Sequence, residues 1–181
     1  MSHFQTAKAF FEACETGQGW DGCKAYCQDG ATFFCQADAL VETTTLAAYA
    51  DRMMGLLAPV RGGRYVLRAF DFDETHGTAV AADGFHGTQT GEGGPVPPTG
   101  KSVVSDYAYV IQFDGDKISH MTKIWNDVHA LRGLGWACCA GASLAYCFWP
   151  ASGLGFSFRL WPPWATTWSL PSGSIMRGSV S

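Results

Sequence analysis

Charge is scarce in this sequence. Only 15% of its 181 residues are Asp, Glu, Lys or Arg, and the net charge is −4. There is no basic block and no basic stripe interleaved with aromatics, so the electrostatic footprint of a nucleic-acid-binding protein is missing. Gly-x-Ser-x-Gly elbows, phosphate-cradling glycine loops and histidine-rich metal motifs are also missing, which removes the usual signatures of serine hydrolases, nucleotide enzymes and zinc proteases. The amino terminus, MSHFQTAKAFFEACETG, has no apolar core of the kind a secretory leader needs, so a cytoplasmic protein is expected. In that compartment the seven cysteines are read as reduced thiols rather than as a disulfide framework. Cys23 and Cys27 share a helical face, but Cys14 and Cys35 stand apart and do not complete the two close pairs of a four-cysteine zinc site. Buried core thiols and no metal are expected.

The shortage of charge is most extreme after Ala137. Residues 138–181 contain no Asp, Glu, Lys or His, yet hold four of the seven tryptophans and three of the cysteines. The uncharged run from Gly133 to Phe158 is long enough on count for a membrane span, but Pro150 and many Gly, Ser and Cys residues argue against one. The expectation is an irregular, poorly ordered extension with no membrane contact except through this tail. Residues 1–137 then form the folded domain, which is long enough to bury a core.

Within that domain helices come first. Phe4, Ala7, Phe10, Phe11 and Cys14 recur at helical spacing, predicting a helix over residues 3–15 that stops near Gly17. A second short helix is expected over Trp20 to Gln28, a short strand over Ala31 to Gln36, and a third helix over Thr43 to Leu57 with a threonine cap. Two strands, Arg64 to Asp73 and Thr78 to Thr90, flank the turn Glu74-Thr75-His76-Gly77. The Gly/Pro stretch Gly91 to Gly100 leads into a hairpin, Val103 to Phe113 and Ile118 to Trp125, and a closing helix. Helices followed by a run of antiparallel strands indicate an α+β fold, with N-terminal helices packed on one side of a curved antiparallel sheet and a cone-shaped cavity at its open end.

The hairpin organises the chain. With Asp114-Gly115 as the two central residues of its turn, Asp106 faces Lys123 as a cross-strand ion pair, on a face shared with Val104, Val110, Met121 and Trp125. The opposite face carries Tyr107, Tyr109, His120, Thr122 and Asn126 with no formal charge, which suits an apolar pocket with a few orienting groups. His120 is then a candidate proton-transfer residue, with Tyr107, Tyr109 and Thr122 as ligand-facing neighbours, and His86 is a further candidate on the preceding strand.

Together, Phe85-His86-Gly87-Thr88-Gln89-Thr90-Gly91-Glu92, then Pro97-Pro98-Thr99-Gly100-Lys101, Gly115-Asp116-Lys117-Ile118 and Leu134-Gly135 resemble, in this order and spacing, the SnoaL-like polyketide cyclase branch of the nuclear transport factor 2-like superfamily. The resemblance covers about residues 3–137. It implies a conical α+β barrel used for ring closure, isomerisation or hydrolysis, and also for non-catalytic binding and dimerisation. In the cyclases of this branch an aspartate near the end of the last strand is the general acid/base. Counting nine residues from Lys117 and nine back from Gly135 lands on Asn126, which cannot exchange a proton. Asp127 is one step on; it either caps the closing helix or turns inward at a bulge. Gln89 stands where the family commonly has histidine.

The expected function is therefore binding of a hydrophobic, carbonyl-bearing small molecule. Proton abstraction beside the carbonyl, without a cofactor, would use Asp127 or His120 as base, with Asn126, Tyr107 or Tyr109 steadying the enolate. The alternative is a non-catalytic ligand-binding or dimerisation module. A homodimer through the outer sheet face, using Met121, Trp125, Val104 and Val110, is also expected.

Overall fold

The computed structural model describes residues 1–136. The charge-poor segment 138–181 lies outside the described residues. Helix α1 (His3–Glu15) begins with a capping box in which Ser2 and Gln5 satisfy each other's backbone N–H groups, and its apolar stripe is buried at Ala7, Phe10, Phe11 and Cys14. Where one second helix was expected over Trp20 to Gln28, there are a short α2 (Gly19–Cys23), a single 3-10 turn (Lys24–Tyr26) and, from Cys27, the next strand. Strand β1 (Cys27–Cys35) follows, then a 3-10 turn at Asp38–Leu40 and α3 (Leu46–Leu56), capped by the Thr45 side chain. The remaining elements are β2 (Arg64–Asp73), β3 (Thr78–Thr88), β4 (Ser102–Asp114), β5 (Lys117–Trp125) and α4 (Asp127–Leu134). No helix among the described residues is long and apolar enough to cross a membrane.

The sheet order is β1-β5-β4-β3-β2. Three pairings are antiparallel as expected, but β1 lies parallel to β5, so the sheet is mixed rather than antiparallel. The reason is topological: α1 and α2 precede β1, and β1 enters along the last strand to reach α3. With β1 and β2 both at edges, the sheet curves without closing into a barrel. The helices cover its concave side, where Phe10, Phe11, Tyr49, Tyr109, Ile111, Ile118 and Met121 form the main core. A second, smaller cluster of Val60, Val103 and Leu134 packs beneath α4.

The register of the hairpin differs from expectation. Asp114 pairs with Lys117, so the two central turn residues are Gly115 and Asp116, one step later than predicted. Gly115 takes a positive φ of 58°, which an Asp-Gly pair supplies at low steric cost. A bulge at Ser119 then interrupts the ladder: Phe113 faces Ile118, but Gln112 faces His120. One extra residue reverses the facing of everything beyond it. Met121, Lys123 and Trp125 therefore turn to the concave side, while His120, Thr122 and Ile124 turn to the convex side. The expected Asp106–Lys123 pair does not form. Asp106 pairs with Arg68 at 2.7 Å on the convex face, and Lys123 is buried.

Candidate functional site

The inward residues of β3 are Ala79, Ala81, Asp83 and Phe85, and those of β4 are Val103, Ser105, Tyr107, Tyr109 and Ile111. Tyr107 pairs with Asp83 on one side and Trp125 on the other, and Tyr109 pairs with Ala81 and Lys123. Between the two apolar clusters, Asp83 and Ser105 form a polar break in the core wall. This is the region where the concave face carries chemistry.

Glu15, the last residue of α1, points into this region and is only 6% exposed. It accepts hydrogen bonds from the hydroxyls of Tyr107 and of Tyr109, the latter at 2.5 Å. The Tyr109 oxygen is also 2.5 Å from the Tyr49 hydroxyl of α3, and Lys123 Nζ donates to the Tyr49 oxygen at 2.8 Å. A continuous chain thus runs Lys123–Tyr49–Tyr109–Glu15–Tyr107 across the core. The Lys123 ammonium position also lies 4.5 Å from the Tyr107 ring centre, 4.8 Å from Trp125, 5.3 Å from Tyr49 and 5.5 Å from Tyr109. Burial raises the Glu15 carboxyl pKa, against the opposing pull of Lys123 and the two phenols. Burial lowers that of Lys123, against the opposing pull of Glu15.

Asp83 is different in kind. It is 1% exposed, and neither carboxylate oxygen meets a donor in hydrogen-bonding geometry. Burial pushes its carboxyl up to about 7, the nearby Tyr107 hydroxyl and the Lys123 and Arg68 charges restoring only part of the cost of losing water, and Glu15 adding to it. Ser105, on the same face and diagonal to Asp83, accepts a 2.9 Å bond from the Trp125 indole N–H, which leaves its own hydroxyl proton free to be donated. A buried carboxyl able to change charge near neutrality, beside a hydroxyl donor and an aromatic wall, can accept or deliver a proton and steady an oxygen.

The residues read from sequence are distributed as follows. Tyr107 and Tyr109 line the concave side as expected, though their hydroxyls are held by Glu15. His120 is on the convex side, its Nδ1 2.7 Å from the Thr32 hydroxyl and its Nε2 3.0 Å from the Thr122 hydroxyl, so His120 and Thr122 share the outer face. Asn126 is the cap of α4, accepting from the His129 N–H at 3.0 Å. Asp127, one residue inside the helix, is buried and accepts from the Ala39 N–H at 3.0 Å, tying α4 to the turn after β1. Gln89 is fully buried and holds the Gly/Pro connection, accepting from the Thr99 N–H and donating to the Gly91 and Val96 carbonyls at 3.4 Å. His86 lies on the convex side with Arg61, Arg64, Thr88 and Ser102 around a groove of about 330 Å³. The four cysteines of the described residues, Cys14, Cys23, Cys27 and Cys35, are free buried thiols.

Glu15, Asp83, Ser105 and Tyr49 were not read from the sequence as site residues, and Lys123 was read only as the ion-pair partner of Asp106. Glu15 had a signal: it stands four residues after Phe11, on the apolar stripe of α1. Asp83 had one too, since it continues the inward series Ala79, Ala81. Lys123 had none, because the bulge that turns it inward leaves no mark in the sequence.

No protein-family model matches the sequence, and no curated protein is similar to it in sequence. Solved structures do match. Wild-type IdmH from Streptomyces antibioticus, a candidate polyketide cyclase, is 17% identical with a TM-score of 0.57, over 75% of this chain and 99% of that one. A candidate SnoaL-like polyketide cyclase from a Jannaschia species is 14% identical with a TM-score of 0.57, over 72% and 91%. A nuclear transport factor 2-like protein from Burkholderia thailandensis is 18% identical with a TM-score of 0.56, over 74% and 97%. The chain therefore has the α+β fold of the nuclear transport factor 2-like proteins, with SnoaL-like polyketide cyclases among its structural neighbours, as the sequence resemblance implied.

Proposed function

We propose that this chain is a small-molecule-binding domain that takes a hydrophobic, carbonyl-bearing compound into its concave side and removes a proton next to the carbonyl. The observation that carries the reading is Asp83, a buried carboxylate that meets no donor in good hydrogen-bonding geometry, set with Ser105 among apolar and aromatic side chains. In its ionised form Asp83 is the base. The Ser105 hydroxyl, oriented by Trp125, hydrogen-bonds the developing enolate oxygen, and Tyr107 and Phe85 pack against the ligand. On this reading the base is on β3 rather than at His120, Asn126 or Asp127. The fold shared with candidate polyketide cyclases supports the same substrate class. The domain works in the cytoplasm as a homodimer joined through its convex sheet face.

The second reading is a non-catalytic ligand-binding module. It is favoured by the engagement of Asn126 and Asp127 in structural hydrogen bonds at the start of α4. Deuterium exchange at the α-carbon of 2-tetralone, followed by proton NMR in heavy water, separates the two. The enzyme reading expects exchange that rises with pH through about 7, and Asp83→Asn should slow it by roughly 10²-fold or more while binding persists in tryptophan fluorescence. Binding without exchange selects the module. Exchange unaffected by Asp83→Asn removes Asp83 from the mechanism.

A further inference from the structure

Lysine is almost never buried without a charge partner. Lys123 is 6% exposed and forms no ion pair with a carboxylate among the described residues, its amine donating instead to a phenol oxygen, that of Tyr49. Glu15 is joined to the amine by hydrogen bonds through Tyr49 and Tyr109 and acts on its charge from a distance. Four aromatic rings surround the amine, among them those of Tyr107 and Trp125, which flank the same wall as Asp83 and Ser105. Burial lowers the Lys123 pKa, with Glu15 pulling the other way, so the free amine, the nucleophilic form, is reached more readily here than in a solvated lysine. A solvated surface lysine has neither property.

We propose that Lys123 is a covalent site, its ε-amine condensing with the carbonyl of the bound hydrophobic aldehyde or ketone to form an imine. This deepens the reading of the concave side as a carbonyl-ligand site and rests on it. The Nζ lone pair forms a C–N bond to the carbonyl carbon as the C=O π electrons move to oxygen. One proton passes from nitrogen to that oxygen, giving a carbinolamine. The carboxylic acid form of Asp83 then gives its proton to the hydroxyl as the C–O bond breaks and the nitrogen lone pair closes the C=N bond. The products are one water, a protonated imine and the Asp83 carboxylate. No electrons leave or enter the system. The outcome also supplies what the proposed proton abstraction needs: an iminium acidifies the neighbouring C–H far more than a carbonyl does, and Asp83 is left in its basic form on the same concave face. The Tyr49–Tyr109–Glu15 chain holds the amine in place and gives it a hydrogen-bonded route for its remaining proton.

The test uses the full chain with 6-methoxy-2-naphthaldehyde and sodium cyanoborohydride at neutral pH, read by intact mass and peptide mapping, with tryptophan quenching to report binding. The expected result is one adduct, heavier by the aldehyde plus two hydrogens minus one water, on Lys123 ahead of Lys8, Lys24, Lys101 and Lys117. Lys123→Met should lose that adduct while still quenching. Mapping of the wild-type adduct decides the matter even if the variant fails to fold. Quenching with adducts only on the other lysines overturns the covalent site and leaves the binding reading standing. Neither quenching nor adduct overturns both.

Discussion

Asp83 makes a prediction that does not depend on any ligand. Its carboxyl titrates near 7 in the folded chain against an ordinary 3.8, so the folded state holds this proton more tightly than the unfolded chain does. Stability from this group is fully present below about 4, declines as pH rises from about 4 to about 7, and is flat above. The displacement is worth about 4 kcal/mol at 1.36 kcal/mol per pH unit. Asp83→Asn removes the dependence. Urea unfolding at a series of pH values should find the variant level with the wild type near pH 4 and more stable by a few kcal/mol at pH 8. A difference that is the same at every pH would mean that Asp83 is solvated after all. At the same scale, Asn126→Ala should cost about 0.5–2 kcal/mol for the lost cap and leave ligand binding and α-proton exchange unchanged. Such a result separates the cap from the chemistry at the position where the resemblance pointed. The cap was legible in general form, because a polar residue ahead of a short amphipathic helix has few other roles. The inward Asp83 was legible only in parity. Its importance comes from what is missing around it, which no local pattern encodes.

At the scale of elements, the sequence showed α1, β2, β3 and the hairpin strands to within a residue or two, because each has a strong period and a strong stop. The register and the parallel edge were not visible. Ser119 is an ordinary strand residue locally, and only the competition between burying Met121 and Trp125 and burying His120 and Thr122 decides that it should bulge. The larger, more apolar set wins and carries Lys123 in with it, which is why a sound pairing argument from Asp106 and Lys123 reached the wrong face. Strand β1 is too mixed in character for its direction to be read. Packing of α4 on β4 can be tested directly. A Cβ on Gly133 would lie 2.5 Å from Val103 Cγ2 and 2.9 Å from its Cβ. Gly133→Ala should therefore destabilise by about 1–3 kcal/mol through overpacking. Val103→Ala on its own leaves a cavity, but combined with Gly133→Ala it removes the 2.5 Å contact and leaves only the 2.9 Å one, so the pair should be less destabilised than the sum of the single changes. Additive chemical denaturation would show that α4 shifts freely on the sheet.

At the largest scale, the convex side of the sheet is, among the described residues, an exposed surface with apolar rows. Across four neighbouring strands, Ile124 faces Ala108, Ala108 faces Ala82, and Ala82 faces Ala69, a low apolar row with a groove of about 440 Å³ along it. Val80 and Val110 form the next row, and Ile124 and Val104 are 62% and 49% exposed. An antiparallel sheet that faced only water would be expected to alternate polar residues here. The Arg68–Asp106 pair at the edge of this row supplies one charge of each sign, so a second copy turned by a two-fold axis can meet acid with base while the small residues let the sheets approach. The same face was expected to dimerise through Met121 and Trp125, which the bulge turns inward; Ile124 stands outward in their place. Light scattering of the full chain should therefore give the mass of a dimer. Ile124→Lys combined with Val104→Lys, which puts like charges from both copies into the contact, should give a monomer with the fold unchanged by circular dichroism. A monomeric wild type, or a dimer that survives both substitutions, would locate self-association elsewhere and leave the exposed apolar row without a function.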